Sequence, residues 1–305
     1  MDTAKPNFFI VGAPKSGTSA LAFYLSEHPQ VFFSRPKELF YWSEDHQYAR
    51  ERHGVYTLES YLRFFEDSDP ALHKAIGEGS VNYLQSHNAI ENILAFNPDA
   101  KFIAMLRDPV DVAYGMHGEL VRHYFEDELD FEKAWGLQSD RASGIRIPDK
   151  CVMRHQLQYQ DVATFSPQIE RLHTLVPESQ RLLLFFDDLK KDTGAVYQQT
   201  LEFLGLTDDG RSEFPRVNPA RTYRSHAIGR LYQTPPKWLE PAMKRVRHWY
   251  ASLPGNKKDM LAGMMAKKEA RAPLREEFAT HLRDIFRTDV EKLEVMLSRD
   301  LAHWK

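Results

Sequence analysis

FFIVGAPKSGTSALAFYL, residues 8–25, runs from an apolar stretch of strand length through a turn of Gly, Pro, Lys, Ser and Thr into a segment of helix length. A strand buried on both faces reads as a near-continuous apolar run, and glycines let the backbone turn sharply and approach a bound group. The helix that follows offers N–H groups with no partner of their own and the positive end of its dipole, which together suit a phosphate. The stretch predicts a strand at 7–12, an anion-binding turn and a helix at 19–28, which Pro29 helps to stop.

Outward from this unit, apolar runs recur at 74–80, 101–108 and 181–188. Helix-length segments separate them, with helices expected at 86–96, 110–124, 154–165 and 192–204. Such alternation predicts an α/β fold, a P-loop-like, mostly parallel central sheet flanked by helices. A loop rich in Pro, Arg, Asn and Ser is expected at 208–227, and the part beyond 235 reads as helical, for example LREEFATHLRDIFRTDVEKLEVML. One domain over 1–305 is expected, because 305 residues with 42% hydrophobic content can bury a large single core.

Lys and Arg number 40 against 43 Asp and Glu, a net charge of −3, so no global positive field exists to hold nucleic acid or an anionic membrane. An anion site must be local. The Lys- and Arg-bearing segment 238–268 reads as a solvated helix face rather than a seat for an acidic partner. The single cysteine, Cys151, excludes an intramolecular disulfide and argues against a cysteine-built zinc site, which fits a reducing compartment, by default the cytoplasm. The first apolar run begins too early to follow a leader peptide, and no run of about 18 apolar residues occurs, so a soluble protein is expected.

Set against the nucleotide pattern G-x-x-x-x-G-K-[ST], Gly12, Gly17 and Ser19 fall in frame, yet Thr18 stands where the lysine belongs. The lysine sits at Lys15 instead. A transferring phosphoryl group is highly charged and is normally clamped by Mg²⁺. A sulfuryl group carries less charge, so one ammonium near the bridging oxygen can neutralise the leaving group without metal.

GAPKSGTSAL, followed by HPQVFFSRPKELFYW, resembles the 5′-phosphosulfate-binding loop of the sulfotransferases that use 3′-phosphoadenosine 5′-phosphosulfate (PAPS). The order G-x-x-K-x-G-T-x-A-L, then H-P, then K-E with aromatics, is closer to the carbohydrate (heparan sulfate type) and bacterial branch than to the cytosolic phenol and steroid branch. The resemblance implies PAPS as co-substrate without a required metal. It places Lys15, Ser16, Gly17, Thr18 and Ser19 at the phosphosulfate, with Lys15 stabilising the leaving phosphate.

KFIAMLRDPVDVAYGMH, 101–117, resembles the 3′-phosphate motif, which puts Arg107 on that phosphate; Gly115 stands where the pattern has a serine. NPARTYRSHAIGRL, 218–231, resembles the late K-G-R-x-H-P loop that closes over the nucleotide: Arg224 and His226 match it, whereas Thr222 and Tyr223 do not. Arg224 is a candidate for the nucleotide and Tyr223 for stacking on adenine. IGEGSVNYL, 76–84, resembles G-E-K-[ST]-P-x-Y, and the resemblance makes Glu78 the base that takes the acceptor proton. Gly79 and Val81 replace the Lys and Pro of that pattern, while Ser80 and Tyr83 are kept. His28, His117 and His123 are alternative bases, and Lys37 and Glu38 stand either at the acceptor entrance or in a salt bridge with each other.

Two other readings stay open from the sequence. A kinase-like phosphotransferase could use RLLLFFDD, 181–188, as an acidic strand end; a non-catalytic module could bind a nucleotide or a sulfated glycan. The acceptor, a hydroxyl or amine of a sugar or small natural product, would meet the loops 34–70 and 124–152, which carry no interpretable signature beyond the aromatic stretch 40–65.

Overall fold

The computed structural model describes residues 5–46, 54–217 and 272–305, the backbone of two short strands, Arg221–Tyr223 and Ala266–Lys268, and a few residues between 239 and 246. Strand β1 (Phe8–Gly12) is buried at every residue. Its side chains alternate between two cores: Phe8 and Ile10 pack with Leu21, Leu25 and Tyr197, and Phe9 and Val11 with Ile90, Ile93 and Val112. A strand covered on both faces has no solvated side to carry polar residues, so its sequence is apolar throughout.

Helix α1 (Thr18–Ser26) follows, then the edge strand β2 (Val31–Phe33) and strand β3 (Ala75–Glu78). Helix α2 (Ala89–Phe96) leads to β4 (Lys101–Leu106) and α3 (Pro109–His123). Helix α4 (Ser166–Leu175) precedes β5 (Arg181–Phe185), and α5 (Phe186–Lys191), α6 (Thr193–Leu204) and α7 (Glu276–Leu297) complete the main helices described. The sheet order is β2-β3-β1-β4-β5, and every pairing is parallel. From β1 the chain goes out to β2, whereas from β3 it crosses to β4 on the other side, so a crevice opens at the C-terminal ends of these strands. The expected mostly parallel sheet between helices is what the chain adopts, with helix α7 in its C-terminal part; the helix face expected at 238–268 lies outside the described residues except for a few positions and the strand Ala266–Lys268. Residues 221–223 and 266–268 form a separate antiparallel pair.

The differences are local. Strand β2 has three residues, too few to show a period. The strand expected at 181–188 stops at Phe185, and Asp187 and Asp188 lie in helix α5. The helix expected at 154–165 divides into a 3₁₀ turn, Arg154–Leu157, and a short helix, Tyr159–Ala163. Helix α2 starts at Ala89, where the Ser86 hydroxyl accepts from the Ala89 N–H at 3.1 Å. Helix α3 is opened by Asp108, whose carboxylate accepts from the Val110 N–H at 2.8 Å, with Pro109 in the first helical position.

Candidate active site

The turn between β1 and α1 holds two residues in the left-handed region, Lys15 at φ 60° and Gly17 at φ 95°. Gly17 is also spatially required: a Cβ there would fall 2.9 Å from the Phe186 ring and 3.0 Å from Leu189. Gly17 caps α1 with no side-chain hydrogen bond, so the N–H groups of the first helical turn are not met by a capping side chain. The Ser16 hydroxyl is buried and turns back to the Pro14 carbonyl at 3.3 Å.

Lys15 and Arg107 meet at this turn. Arg107, one residue past β4, donates from Nη1 to the Lys15 carbonyl at 3.1 Å and lies 4.5 Å from the Phe186 ring centroid. Its Nε and Nη2 donate to Asp111 at 3.0 and 2.6 Å. The Lys15 stem crosses helix α3 at Gly115, where a Cβ would stand 3.2 Å from Lys15 Cβ and Cγ. Its ammonium reaches Glu119, one turn further, at 3.0 Å. Burial pushes the Glu119 carboxyl upward, but the hydrogen bond from His123 and the charges of Lys15 and Arg122 hold it well below the usual carboxylate range.

Besides Glu119, the carboxylates of Glu78 and Glu38 differ in access. Glu78 ends β3 and has no exposed surface. Tyr83 and Tyr61 donate to its Oε1 at 2.8 and 3.1 Å, and Ser80 donates to its Oε2 at 2.9 Å. Burial pushes the Glu78 carboxyl up to about 7, against the pull of these hydrogen bonds. The Ser80 hydroxyl in turn accepts from the backbone N–H groups of Leu39 and Phe40 at 3.0 and 2.9 Å. Glu78 and Ser80 thus anchor the backbone that follows Glu38.

Glu38 itself is about one-third exposed, with a side-chain exposure of 32%. It lines a cavity of about 430 Å³ together with Lys15, Gly17, Thr18, Ser19, Arg107 and Phe186. A second cavity of about 430 Å³ meets the first at Ser19, Glu38 and Phe40. Lys37 lines that second cavity, lies 3.3 Å from Glu38 Oε1 and donates to the Thr18 hydroxyl at 3.3 Å. Of the two expectations for Lys37 and Glu38, the mutual salt bridge is formed, and both side chains also line the second cavity.

The structure brings Lys15, Gly17, Thr18, Ser19 and Arg107 to one cavity. Gly115 packs on the Lys15 stem beside it, and Glu78 lies behind the wall, enclosed by its tyrosines. His28 is spent on the Thr207 carbonyl at 2.9 Å, and His117, buried, on the Glu128 carbonyl at 2.8 Å. His123 faces the cavity but lies 3.0 Å from Glu119. Tyr223 sits in a short strand of which the backbone alone is described; Arg224 and His226 lie outside the described residues. Sequence reasoning missed Glu119 and Phe186. The i, i+4 spacing from Gly115 to Glu119 on one helix face was the available signal for the first.

Asp187 and Asp188 face elsewhere. Asp187 takes hydrogen bonds from Trp304 Nε1 at 3.0 Å and pairs with His303, and Asp188 pairs with Arg299 at 2.8 Å. The acidic strand end of the kinase-like reading is therefore a helical tie to the C-terminal segment.

Residues 5–216 match the family model of the sulfotransferase domain. The bifunctional heparan sulfate N-deacetylase/N-sulfotransferase 2 of Homo sapiens is 27% identical over 222 residues, 72% of this chain and 23% of that protein. Carbohydrate sulfotransferase 15 of Mus musculus is 33% identical over 146 residues, 36% of this chain and 26% of that protein. The chain spans about a quarter of the length of these curated relatives. A sulfotransferase from Alicyclobacillus acidocaldarius shares the fold at a TM-score of 0.70 and 23% identity, with 99% of each chain covered. A lysine set three places early in a strand–turn–helix unit, an arginine at the next strand end and a family match running through both lead to one conclusion: the chain belongs to the sulfotransferase domain family.

Proposed function

We propose that this protein transfers the sulfuryl group of PAPS to a hydroxyl or amine of a sugar or small natural product, without a required metal. The observation that carries the reading is that Lys15 and Glu38 line one cavity at the N-terminus of α1, while Glu78 has no exposed atom. A base must come within hydrogen-bond reach of the proton it removes, and Glu38 meets that condition where Glu78 does not. The base expected at Glu78 therefore passes to Glu38, and Glu78 becomes the residue that positions it.

The first turn of α1, with Thr18 and Ser19, supplies N–H groups and dipole to the 5′-phosphosulfate, and Arg107 supplies a guanidinium fork to the 3′-phosphate. The acceptor oxygen or nitrogen forms its bond to sulfur as the bond from sulfur to the bridging phosphate oxygen breaks. The acceptor proton goes to the Glu38 carboxylate, and the charge left on 3′-phosphoadenosine 5′-phosphate (PAP) is met by the Lys15 ammonium. The second cavity gives the acceptor its approach to Glu38. Tyr223 and Arg224 complete the nucleotide site on this reading, and Gly115 leaves the 3′-phosphate one hydroxyl donor fewer.

We read residues 1–305 as one sulfotransferase domain acting in the cytoplasm. No helix among the described residues is long and apolar enough to cross a membrane. Burial pushes the thiol of Cys151 up to about 11, which makes it a packing residue.

The test is transfer from labelled PAPS in a screen of sugars, phenols, amines and small natural products, with and without EDTA. Transfer that survives EDTA, falls about 10²- to 10⁴-fold in kcat in Glu38→Gln and stays within about tenfold in Glu78→Gln supports the reading. Full turnover in Glu38→Gln removes Glu38 as the base. Turnover of ATP that needs Mg²⁺, with none of PAPS, replaces the reading by a phosphotransferase.

A further inference from the structure

Gly79 stands where the resembled G-E-K-[ST]-P-x-Y segment carries a lysine, and the space above it is filled by another lysine. A Cβ at position 79 would fall 2.9 Å from Lys37 Cε and 3.3 Å from Lys37 Cγ, with the Phe33 ring at 3.2 Å. A side chain on Gly79 and the present course of Lys37 thus compete for one volume. The two residues are also joined through the backbone, since the Gly79 N–H donates to the Lys37 carbonyl at 3.0 Å.

The Lys37 ammonium ends between the turn that opens α1 and the partly buried Glu38 carboxylate, 3.3 Å from the Thr18 hydroxyl and 3.3 Å from Glu38 Oε1. An ammonium has three protons to donate, and here two directions are taken by groups that line the first cavity while the side chain borders the second. Burial pushes its pKa below the usual lysine range, and the carboxylates of Glu38 and Glu78 pull it partly back. Glu38 is the anion this ammonium meets, and of its three protons one is left over from the two directions taken by Glu38 and Thr18.

Resting on the sulfotransferase reading, we propose that Lys37 is a second ammonium of the transfer site. It holds Glu38 toward the cavity and donates a hydrogen bond to a non-bridging oxygen of the sulfuryl group during transfer. It does so from the loop after β2, in the volume a lysine at position 79 would reach from the end of β3. Lys37 forms no covalent bond and gives up no proton in the step.

The experiment compares four full-length proteins, the wild type, Lys37→Met, Lys37→Ala and the double variant Lys37→Ala/Gly79→Lys, on labelled PAPS with an acceptor that the wild type sulfates. Lys37→Met keeps the aliphatic cover of Gly79 and removes the charge. Its kcat is expected to fall about 10²-fold while the PAP dissociation constant, by calorimetry, stays within about threefold. The double variant is expected to recover at least about tenfold over Lys37→Ala, which a structural role for the Lys37 stem would not produce. A Lys37→Met variant with kcat within about threefold of wild type overturns the proposal, as does a double variant no faster than Lys37→Ala. Should Lys37→Met fail to fold, the recovery in the double variant decides alone. A wild type that transfers no sulfate to any acceptor overturns the sulfotransferase reading and this proposal with it.

Discussion

The ammonium of Lys15 lies 3.0 Å from Glu119 Oε2, so the cation of the turn between β1 and α1 is held by a carboxylate from helix α3. Arg122 and His123 hold the same carboxylate from the other side. An anionic donor that comes to Lys15 must approach this negative charge. Glu119→Gln should therefore tighten PAP by about three- to tenfold in low salt, and the gain should shrink at high ionic strength. Calorimetry at two salt concentrations checks both parts; weaker binding in Glu119→Gln would show that the carboxylate serves to aim Lys15 at the donor.

Lys15 is expected to act more strongly on the transition state than on the bound donor, because charge grows on the bridging oxygen as the sulfur leaves. Lys15→Ala should lower kcat by about 10²- to 10³-fold. Steady-state rates with saturating PAPS measure this, and a pure rise in KM at unchanged kcat would place Lys15 in donor binding alone.

Arg107 has one duty in the structure and one proposed, and a pair of ligands can separate them. Its bond to the Lys15 carbonyl supports the turn, and its fork is the candidate for the 3′-phosphate. Arg107→Ala should weaken PAP by about tenfold or more, and adenosine 5′-phosphosulfate, which lacks that phosphate, by only about two- to threefold. Equal losses for both ligands would confine Arg107 to the turn.

Glu78 has its pKa raised in the folded protein, from an ordinary value of 4.5 to about 7. The folded state thus holds the Glu78 proton more tightly than the unfolded chain does. The stability it contributes is complete below about pH 4.5 and is lost as the pH rises through about 7. Between pH 5.5 and 8 the melting temperature of the wild type should fall more than that of Glu78→Gln, which has no proton to lose. Parallel pH profiles for the two proteins would show that Glu78 does not titrate in this window.

The phosphate turn was legible because its information is local: an apolar strand, a glycine that must stay bare and a displaced lysine all lie within residues 8–25. Arg107 was legible for the same reason, as the polar end of an apolar run. The difference in access between Glu38 and Glu78 was not. Neither Lys37-Glu38-Leu39 nor Gly77-Glu78-Gly79 says whether its carboxylate is enclosed, and the difference comes from Tyr61, before Glu78, and Tyr83, just after it, whose hydroxyls close over the Glu78 carboxylate. Burial on that scale has no period to read. The end of β5 was misplaced because RLLLFF is equally apolar on both sides of the boundary, and the acids that follow are drawn into α5 by partners more than a hundred residues away.

Phe186 is the floor on which Gly17 and Arg107 rest, and the residue after it, Asp187, is bonded to the buried indole of Trp304. A hydrophobic anchor remote in sequence is thereby built into the support of the proposed nucleotide seat. Substitutions around 299–304 would register as altered donor saturation as well as lost stability, and the two properties cannot drift independently at that position.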